Sequence, residues 1–192
     1  DNTAPLTGPT YPAQGSTVPV NALGIIAGTG VDMPAPTAPA SSGPLVGVLL
    51  RVHRLTDGQW WAGGVTHWQA GLSGVSANNI YVTSWSLTGT DLPGVTLPAD
   101  LASGTSYYLS SAGQDYAGGN TEAWYSIQGS TFIYDTDVPK SWISTMSVVN
   151  QSTVSALATI TGTTADEPGF GTPTKVSART EKVQVSIQRK SD

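Results

Sequence analysis

The fold is indicated most directly by the stretch VGVLLRVHRLTD at residues 46–57. Its apolar side chains at positions 46, 48, 50 and 52 fall on one side, while Arg51, His53 and Arg54 can reach solvent. This alternation has the two-residue period of a half-buried β-strand. A turn signal follows at residues 57–58, before a second apolar segment that begins at residue 60, so the stretch predicts the first arm of a β-hairpin.

The same pattern returns near the C-terminus and predicts an internal repeat. Residues 183–192 match residues 48–57 at an offset of 135, and residues 156–166 match residues 22–32 at an offset of 134. Asp135 also matches Asp1 at an offset of 134. Three matches in the same order at nearly one offset are typical of repeated units. We therefore expect a complete unit at residues 1–134 and the first part of a second, homologous unit at residues 135–192, completed by missing chain or by a neighbouring subunit.

The rest of the chain favours an all-β fold. Seven or eight short strand patterns are separated by spacers rich in Gly and Pro, and no amphipathic helix pattern occurs. Such spacing predicts an antiparallel β-sandwich. Within it, residues 1–16 are expected to be a linker running into an edge strand, residues 31–44 a long loop, and residues 124–134 the last strand and its exit.

Composition and charge exclude several classes of partner. The chain has no cysteine, and its sequence contains no apolar run of the length needed to span a bilayer. Residues 1–134 contain two arginines, no lysine and seven acids, which gives a net charge of −5. We therefore expect no nucleic-acid partner. A surface built from Ser, Thr, Gly and Asn is typical of secreted, polymeric or glycan-facing proteins, so the expected location is extracellular or at the cell surface.

Residues for catalysis are scarce. His53 and His67 are the two histidines, and no Gly-x-Ser-x-Gly elbow is present. Glu122 is the single glutamate of the first unit, so paired carboxylates for glycoside hydrolysis are not expected. Two histidines without cysteine also argue against a zinc site. We therefore expect no enzymatic activity, and surface or packing roles for both histidines.

Oxygen-bearing side chains gather in sequence around the last turn of the first unit and the joint that follows. Hard oxygen ligands from loops are those that calcium prefers, so a calcium site that stiffens the joint is one interpretation. The alternative is that these side chains cap the backbone amides of their own turns. The residues are Asp115, Asn120, Glu122, Asp135 and Asp137.

Aromatic residues offer another binding hypothesis. Trp60, Trp61 and Trp68 lie close together in sequence, and a row of exposed indole rings could stack on sugars. The alternative is packing, because neighbouring strand residues point to opposite faces and one of Trp60 and Trp61 must then belong to the core. Trp85 is expected in the core as well.

Several short motifs resemble the bacterial Ig-like repeats of large surface and secreted proteins. They are GT at residues 28–29 followed by Asp32, RLTDG at 54–58 before two tryptophans, DYAGGNTE at 115–122 and FIYDTDVP at 132–139. In that family such motifs mark the second strand, the central hairpin, the turn before the last strand and the joint between domains. The resemblance covers the first unit and the start of the second, and it implies an Ig-like sandwich.

Together these features predict a non-catalytic structural repeat of an extracellular filament or surface adhesin. Its partners would be copies of itself, joined end to end through short joints, with glycans as a further class. Residues 135–192 supply an apolar face but too few strands to cover it, so strand complementation is a further expected mode of assembly. Two alternatives remain open: a carbohydrate-binding or accessory module of a secreted enzyme, and a phage surface decoration.

Overall fold

The computed structural model contains β-strands and no α-helix in the residues that it describes. The described residues are 3–13, 19–31, 45–64, 66–94, 100–116, 119–124, 128–145, 159–166 and 182–188. None of them belongs to a helix long and apolar enough to cross a membrane. The predicted loop at 31–44 lies almost entirely outside the described residues.

Thirteen strands are formed within these ranges. They are β1 (Leu6–Tyr11), β2 (Pro19–Val20), β3 (Ile26–Val31), β4 (Leu45–Arg54), β5 (Gln59–Trp61), β6 (Trp68–Gln69), β7 (Val75–Ser76), β8 (Asn79–Ile80), β9 (Ser84–Leu87), β10 (Thr105–Asp115), β11 (Ser130–Tyr134), β12 (Pro139–Thr145) and β13 (Thr161–Asp166).

The first eleven strands form two sheets. The small sheet has the order β1-β3-β9-β8, and the large sheet has the order β2-β11-β10-β4-β5-β6, with β7 also paired to β4. The pairs are antiparallel except that β2 runs parallel to β11. The predicted all-β sandwich is confirmed, and the parallel pair is a detail that the sequence patterns did not indicate.

The core lies between the two sheets. It is filled from the small sheet by Ile26, Trp85 and Leu87, and from the large sheet by Leu50 and Leu109, all at most 1% exposed. Burying a side chain of this size stabilises a fold by about 1.5–3 kcal/mol. The alternation read in the sequence of β4 therefore decides which face of the large sheet is covered.

At the start of β4, the residue that faces the core is not the one that the sequence predicted. Val46 is 44% exposed, and Leu45 faces the core instead, at 5% exposure. The reason is an irregularity in the pairing with β10, where Gln114 pairs with Gly47 but Asp115 pairs with Leu45. Such a β-bulge shifts the alternation by one residue, and the single-strand pattern does not reveal it.

The proline-rich opening residues contribute to both sheets. β1 is the edge strand of the small sheet and lies within the predicted linker, while β2 forms the edge of the large sheet. Pro9 is accommodated because an edge strand leaves amide positions unpaired, and the register of β1 shifts between Pro9 and Tyr11. At the other end of the unit, the last strand begins at Ser130 and not at Trp124.

β12 and β13 form a separate two-stranded sheet with the same register as the hairpin of β1 and β3. Leu6 pairs with Val31 in the first hairpin, and Lys140 pairs with Ala165 in the second. Both positions of the second pair are 134 residues beyond those of the first. The remaining pairs of the β1–β3 hairpin recur in the second hairpin at this offset.

The irregularities of the two hairpins coincide as well. The register shift follows Pro9 in the first hairpin and Ile143 in the second, again 134 residues apart. Gly28 and Gly162 occupy equivalent positions, and a Cβ at either one would collide with a backbone carbonyl oxygen of the partner strand. Both hairpins therefore require glycine at this position for the same reason, the close approach of two backbones.

Candidate functional site

The acidic turn after β10 is held by its own hydrogen bonds. The Asp115 amide donates to the Asn120 carbonyl oxygen at 3.2 Å, and Asn120 Nδ2 donates to Asp115 Oδ2 at 2.9 Å. Asp115 is only 2% exposed. The carboxylate therefore holds its turn through the side chain of Asn120, whereas the alternative left open by the sequence was a bond to backbone amides of the turn.

Glu122 connects the two sheets through a buried carboxylate. Its Oε2 accepts hydrogen bonds from the Thr7 amide at 2.9 Å, the Thr7 hydroxyl at 2.6 Å and the Gly113 amide at 3.0 Å. Ser111 Oγ lies 2.9 Å from the same hydroxyl. Thr7 belongs to β1 of the small sheet and Gly113 to β10 of the large sheet, so one side chain closes this end of the sandwich. We call this arrangement the Glu122 latch.

The second acidic group fixes the exit from β11. Asp135 is 5% exposed, and its Oδ1 accepts hydrogen bonds from Ser103 Oγ and from the Asp137 amide, both at 3.0 Å. The Asp135 amide donates to the Val20 carbonyl oxygen at 3.0 Å. Asp137 itself is exposed. The residue at the predicted joint is therefore anchored to β2 and to the loop before β10.

The five acidic and amide residues do not converge on one site. Asp115 ends β10, whereas Asp135 follows Tyr134, which pairs with Thr105 at the other end of this 11-residue strand. At about 3.3 Å per residue the two groups are about 30 Å apart. Among the described residues, no three His, Cys, Asp or Glu side chains are grouped to hold a metal. Calcium at either end stays a prediction, tested by comparing the melting temperature in calcium with that in EGTA.

The three tryptophans predicted for sugar stacking occupy different environments. Trp61 is fully buried, and its Nε1 donates to the Asp91 carbonyl oxygen at 2.7 Å. Trp68 is half-buried against it at 5.4 Å between ring centroids, and its Nε1 donates to the Asp100 carbonyl oxygen at 2.8 Å. A buried ring offers no face to a sugar, so Trp61 cannot belong to an exposed platform. As expected for neighbouring strand residues, Trp60 points to the opposite face.

Trp60 instead belongs to a row of rings across the outer face of the large sheet. It stacks on His53 of β4 with 4.2 Å between ring centroids and 14° between their planes. Tyr108 of β10 is the cross-strand partner of His53 on its other side. Nearby on the same face of β4, the Arg51 guanidinium lies 3.9 Å from the ring centroid of Trp124. Sequence reasoning missed Tyr108 because only the pairing of β4 with β10 brings it beside His53. It missed Trp124 because no local pattern links that residue to Arg51, 73 residues earlier in the chain.

His67 contacts a buried acid. Its Nδ1 lies 2.9 Å from Asp100 Oδ1, and its backbone has a positive φ of 57°. Its ring meets the edge of Trp61 at 5.8 Å between centroids. The residue joins the turn between β5 and β6 to the segment before β10, which is the packing role expected from the sequence.

The turn between β4 and β5 carries an ion pair. Arg54 Nη2 lies 2.6 Å from Asp57 Oδ2, and the hydrogen bond from Arg54 lowers the pKa of Asp57 below its usual value. The same guanidinium lies 4.6 Å from the ring centroid of Trp68. The RLTDG motif therefore closes its hairpin through a charge-assisted hydrogen bond.

A groove with several apolar side chains lies between β12, β13 and residues 182–188. β12, β13 and residues 182–188 line a cavity of about 450 Å³. Its walls include Ile143, Ile160, Val183 and Val185. In the part of the chain that the structure describes, residues 182–188 pair with no strand and all seven are exposed. We call this cavity the open groove.

The comparisons with known proteins give no relative: no family model, no curated protein and no solved structure matches the chain.

Proposed function

We propose that the chain is a non-catalytic structural part of an extracellular filament or surface adhesin, built from tandem Ig-like sandwich units. The observation that carries the proposal is the agreement between the two hairpins. They share their register, the position of their bulge and a required glycine at an offset of 134. Unrelated hairpins have no physical reason to agree in all three, so residues 135–192 are interpreted as a second copy of the plan of residues 1–134.

The joint between the copies supports an end-to-end arrangement. Asp135 follows the last strand of the first unit directly, and four residues later β12 begins. Its buried carboxylate fixes the direction in which the chain leaves the sandwich. A short and anchored joint limits the motion of one unit against the next, which suits a filament or a stalk better than a flexible tether.

Electron microscopy and mass spectrometry of the native polypeptide test this proposal. We expect a mass larger than that of residues 1–192 and rows of units about 35–40 Å across, the size of a folded domain of about 130 residues. A native polypeptide that contains no further unit and forms no ordered assembly would refute the tandem array.

Glycan binding is a second candidate, favoured by the row of rings on the outer face of the large sheet. Trp60, His53 and Tyr108 lie on three adjacent strands of one sheet, and rings in such a row can stack on successive sugars. Retention on insoluble polysaccharide tests this function. We expect Trp60→Ala to abolish retention, while Tyr81→Ala, a change at an exposed tyrosine of the small-sheet side, leaves it unchanged. Equal retention of both variants would contradict glycan binding at this row.

A further inference from the structure

Arg51 is a cation without an acidic partner in the part of the chain that the structure describes. Residues 1–134 contain two arginines and no lysine beside seven acids. Arg54 is paired with Asp57, whereas Arg51 forms no ion pair with a described residue. Arg51 Nε is buried without a hydrogen-bond partner, so the half-buried side chain reaches solvent through its two terminal Nη groups. A unit of net charge −5 therefore keeps one guanidinium whose charge no neighbour neutralises.

The Arg51 side chain is held in place by its surroundings. Its guanidinium carbon lies 3.9 Å from the ring centroid of Trp124. A Cβ at Gly74 would lie 3.4 Å from Arg51 Cγ, so the aliphatic stem runs close to that residue. A guanidinium whose face rests on an indole still has its N–H groups at the edge, in the fork that matches a carboxylate. Because the side chain is already ordered, binding an anion costs little further entropy.

The charged group stands beside the row of rings on the outer face of the large sheet. Val52 between them faces the core at 1% exposure, so Arg51 and His53 both point outward from β4. They are two residues apart, about 7 Å along the strand, which is comparable with the length of one sugar residue. His53 is stacked on Trp60 and paired across the strands with Tyr108. One ligand can therefore contact the guanidinium and the rings together.

The position of β4 within the sheet limits the kind of ligand. β4 pairs with β10 along one side and with β5 and β7 along the other. A peptide that binds by strand addition needs a free edge, so a ligand at Arg51 must contact the side chains of the face. Sugar rings bind aromatic faces in this manner. The net charge of −5 also disfavours a densely charged polyanion and favours carboxylates spaced among neutral sugars.

We propose that Arg51 and Trp124 form the acid-recognition end of a glycan site, and that the ligand is a sugar chain in which uronic acid residues alternate with neutral sugars. The two Nη groups of Arg51 donate to the two oxygens of one sugar carboxylate, while the neighbouring sugar lies over the row of rings. The inference rests on the second candidate function, glycan binding at that row, and adds the charge of the ligand to it.

Two soluble hexasaccharides test the inference on the full 192-residue protein. One alternates glucuronic acid with N-acetylglucosamine, and the other alternates galacturonic acid with rhamnose. Each is compared by calorimetry with its own carboxyl methyl ester, which keeps the sugar skeleton and removes the charge. We expect saturable binding of at least one acidic form and an affinity for its ester that is weaker by about tenfold or more. NMR shifts of the Trp124 and Trp60 indole N–H groups locate the bound sugar.

Two arginine variants separate a direct contact from a general effect of charge. Arg51→Gln is expected to weaken binding of the acidic hexasaccharide by about tenfold or more and to leave binding of the ester within about twofold. Arg54→Gln is the matched control, because it removes the same charge from the same strand at a residue that is paired with Asp57. It is expected to change both affinities by less than about twofold. Circular dichroism and melting of each variant check that the sandwich is retained.

Four results would overturn the inference. They are the absence of binding by both acidic hexasaccharides, equal affinity for acid and ester, equal weakening by the two arginine variants, and equally tight binding of a Gly-Ser peptide with glutamate at every second position. These results are distinguishable from a failure of glycan binding itself. Retention on neutral polysaccharide that Trp60→Ala abolishes, together with equal affinity for acid and ester, would refute carboxylate recognition alone and leave the glycan site intact.

Discussion

Glu122→Ala is expected to lower the free energy of unfolding of the first unit by about 3 kcal/mol. The change removes the acceptor of three buried hydrogen bonds, two of them from backbone amides. Each buried amide left without a partner costs about 1–3 kcal/mol. Removing the Glu122 acceptor from the Thr7 hydroxyl costs less, because Ser111 Oγ remains 2.9 Å from that hydroxyl as an alternative partner. Glu122 Oε1 is buried without a hydrogen-bond partner, so losing the carboxylate also recovers part of a desolvation cost.

Urea unfolding followed by tryptophan fluorescence measures this change, because Trp61 and Trp85 are buried in the same core. With a slope of about 1.5–2 kcal/mol/M, a loss of 3 kcal/mol moves the midpoint down by about 1.5–2 M. Glu122→Gln keeps the shape and one acceptor oxygen, so about half of this loss is expected.

The matched control is Asp137→Ala, which removes an exposed acid and is expected to change stability by less than about 0.5 kcal/mol. Hydrogen exchange gives a local measurement, since the amides of Thr7 and Gly113 should exchange faster in Glu122→Ala than in the wild type. A midpoint within 0.3 M of wild type, or unchanged exchange at these two amides, would refute the Glu122 latch.

Further predictions concern packing and pH. Gly28→Ala should lower the free energy of unfolding, measured in urea, by about 2–3 kcal/mol, because the new methyl group meets a backbone oxygen and the Trp85 ring. The control Gly24→Ala should be nearly neutral, because a Cβ at that position has no atom within 4 Å. Equal losses in the two variants would contradict this reason. Trp85→Phe should lower the free energy of unfolding by about 2 kcal/mol, because it removes the hydrogen bond to a β3 carbonyl oxygen and leaves a small cavity. A neutral result would argue against burial of this indole. Asp57→Asn should cost up to about 0.5 kcal/mol at pH 7, since its exposed pair is screened. The pKa of Asp57 is lowered by Arg54, so the carboxylate contributes stability above about pH 4 and loses it as the pH falls through the folded-state pKa. Wild type and Asp57→Asn should therefore converge near pH 2, and a difference that persists there would contradict the ion pair.

Local pattern was sufficient for the parts of the fold that depend on a single strand. The alternation around Leu50 identified the strand at the centre of the first unit and the face that it buries, because side chains on a strand point alternately to two sides. The same rule required that Trp60 and Trp61 face opposite ways. It did not decide which of them is buried, since that depends on which side of the large sheet faces its partner.

Features that join distant strands were not accessible in this way. The position of Val46 outside the core depends on a bulge opposite β10, and the row of Trp60, His53 and Tyr108 depends on the order of three strands. The sequence analysis grouped Glu122 with acids predicted to bind calcium, yet its carboxylate accepts hydrogen bonds from Thr7, 115 residues earlier in the chain. No neighbouring residue signals such a partner.

The sequence by itself determined that this protein is all-β, because the two-residue alternation of a strand is a local property. Its self-similarity at an offset of 134 predicted a second copy of the opening strands. The tertiary structure decided which acids hold turns and which one joins the sheets, which indole ring is covered, and that the apolar residues at 183, 185 and 187 lie open. The burial of a residue and its hydrogen-bond partners depend on which other strand packs or pairs against it. The sequence of a single strand carries no information about that neighbour.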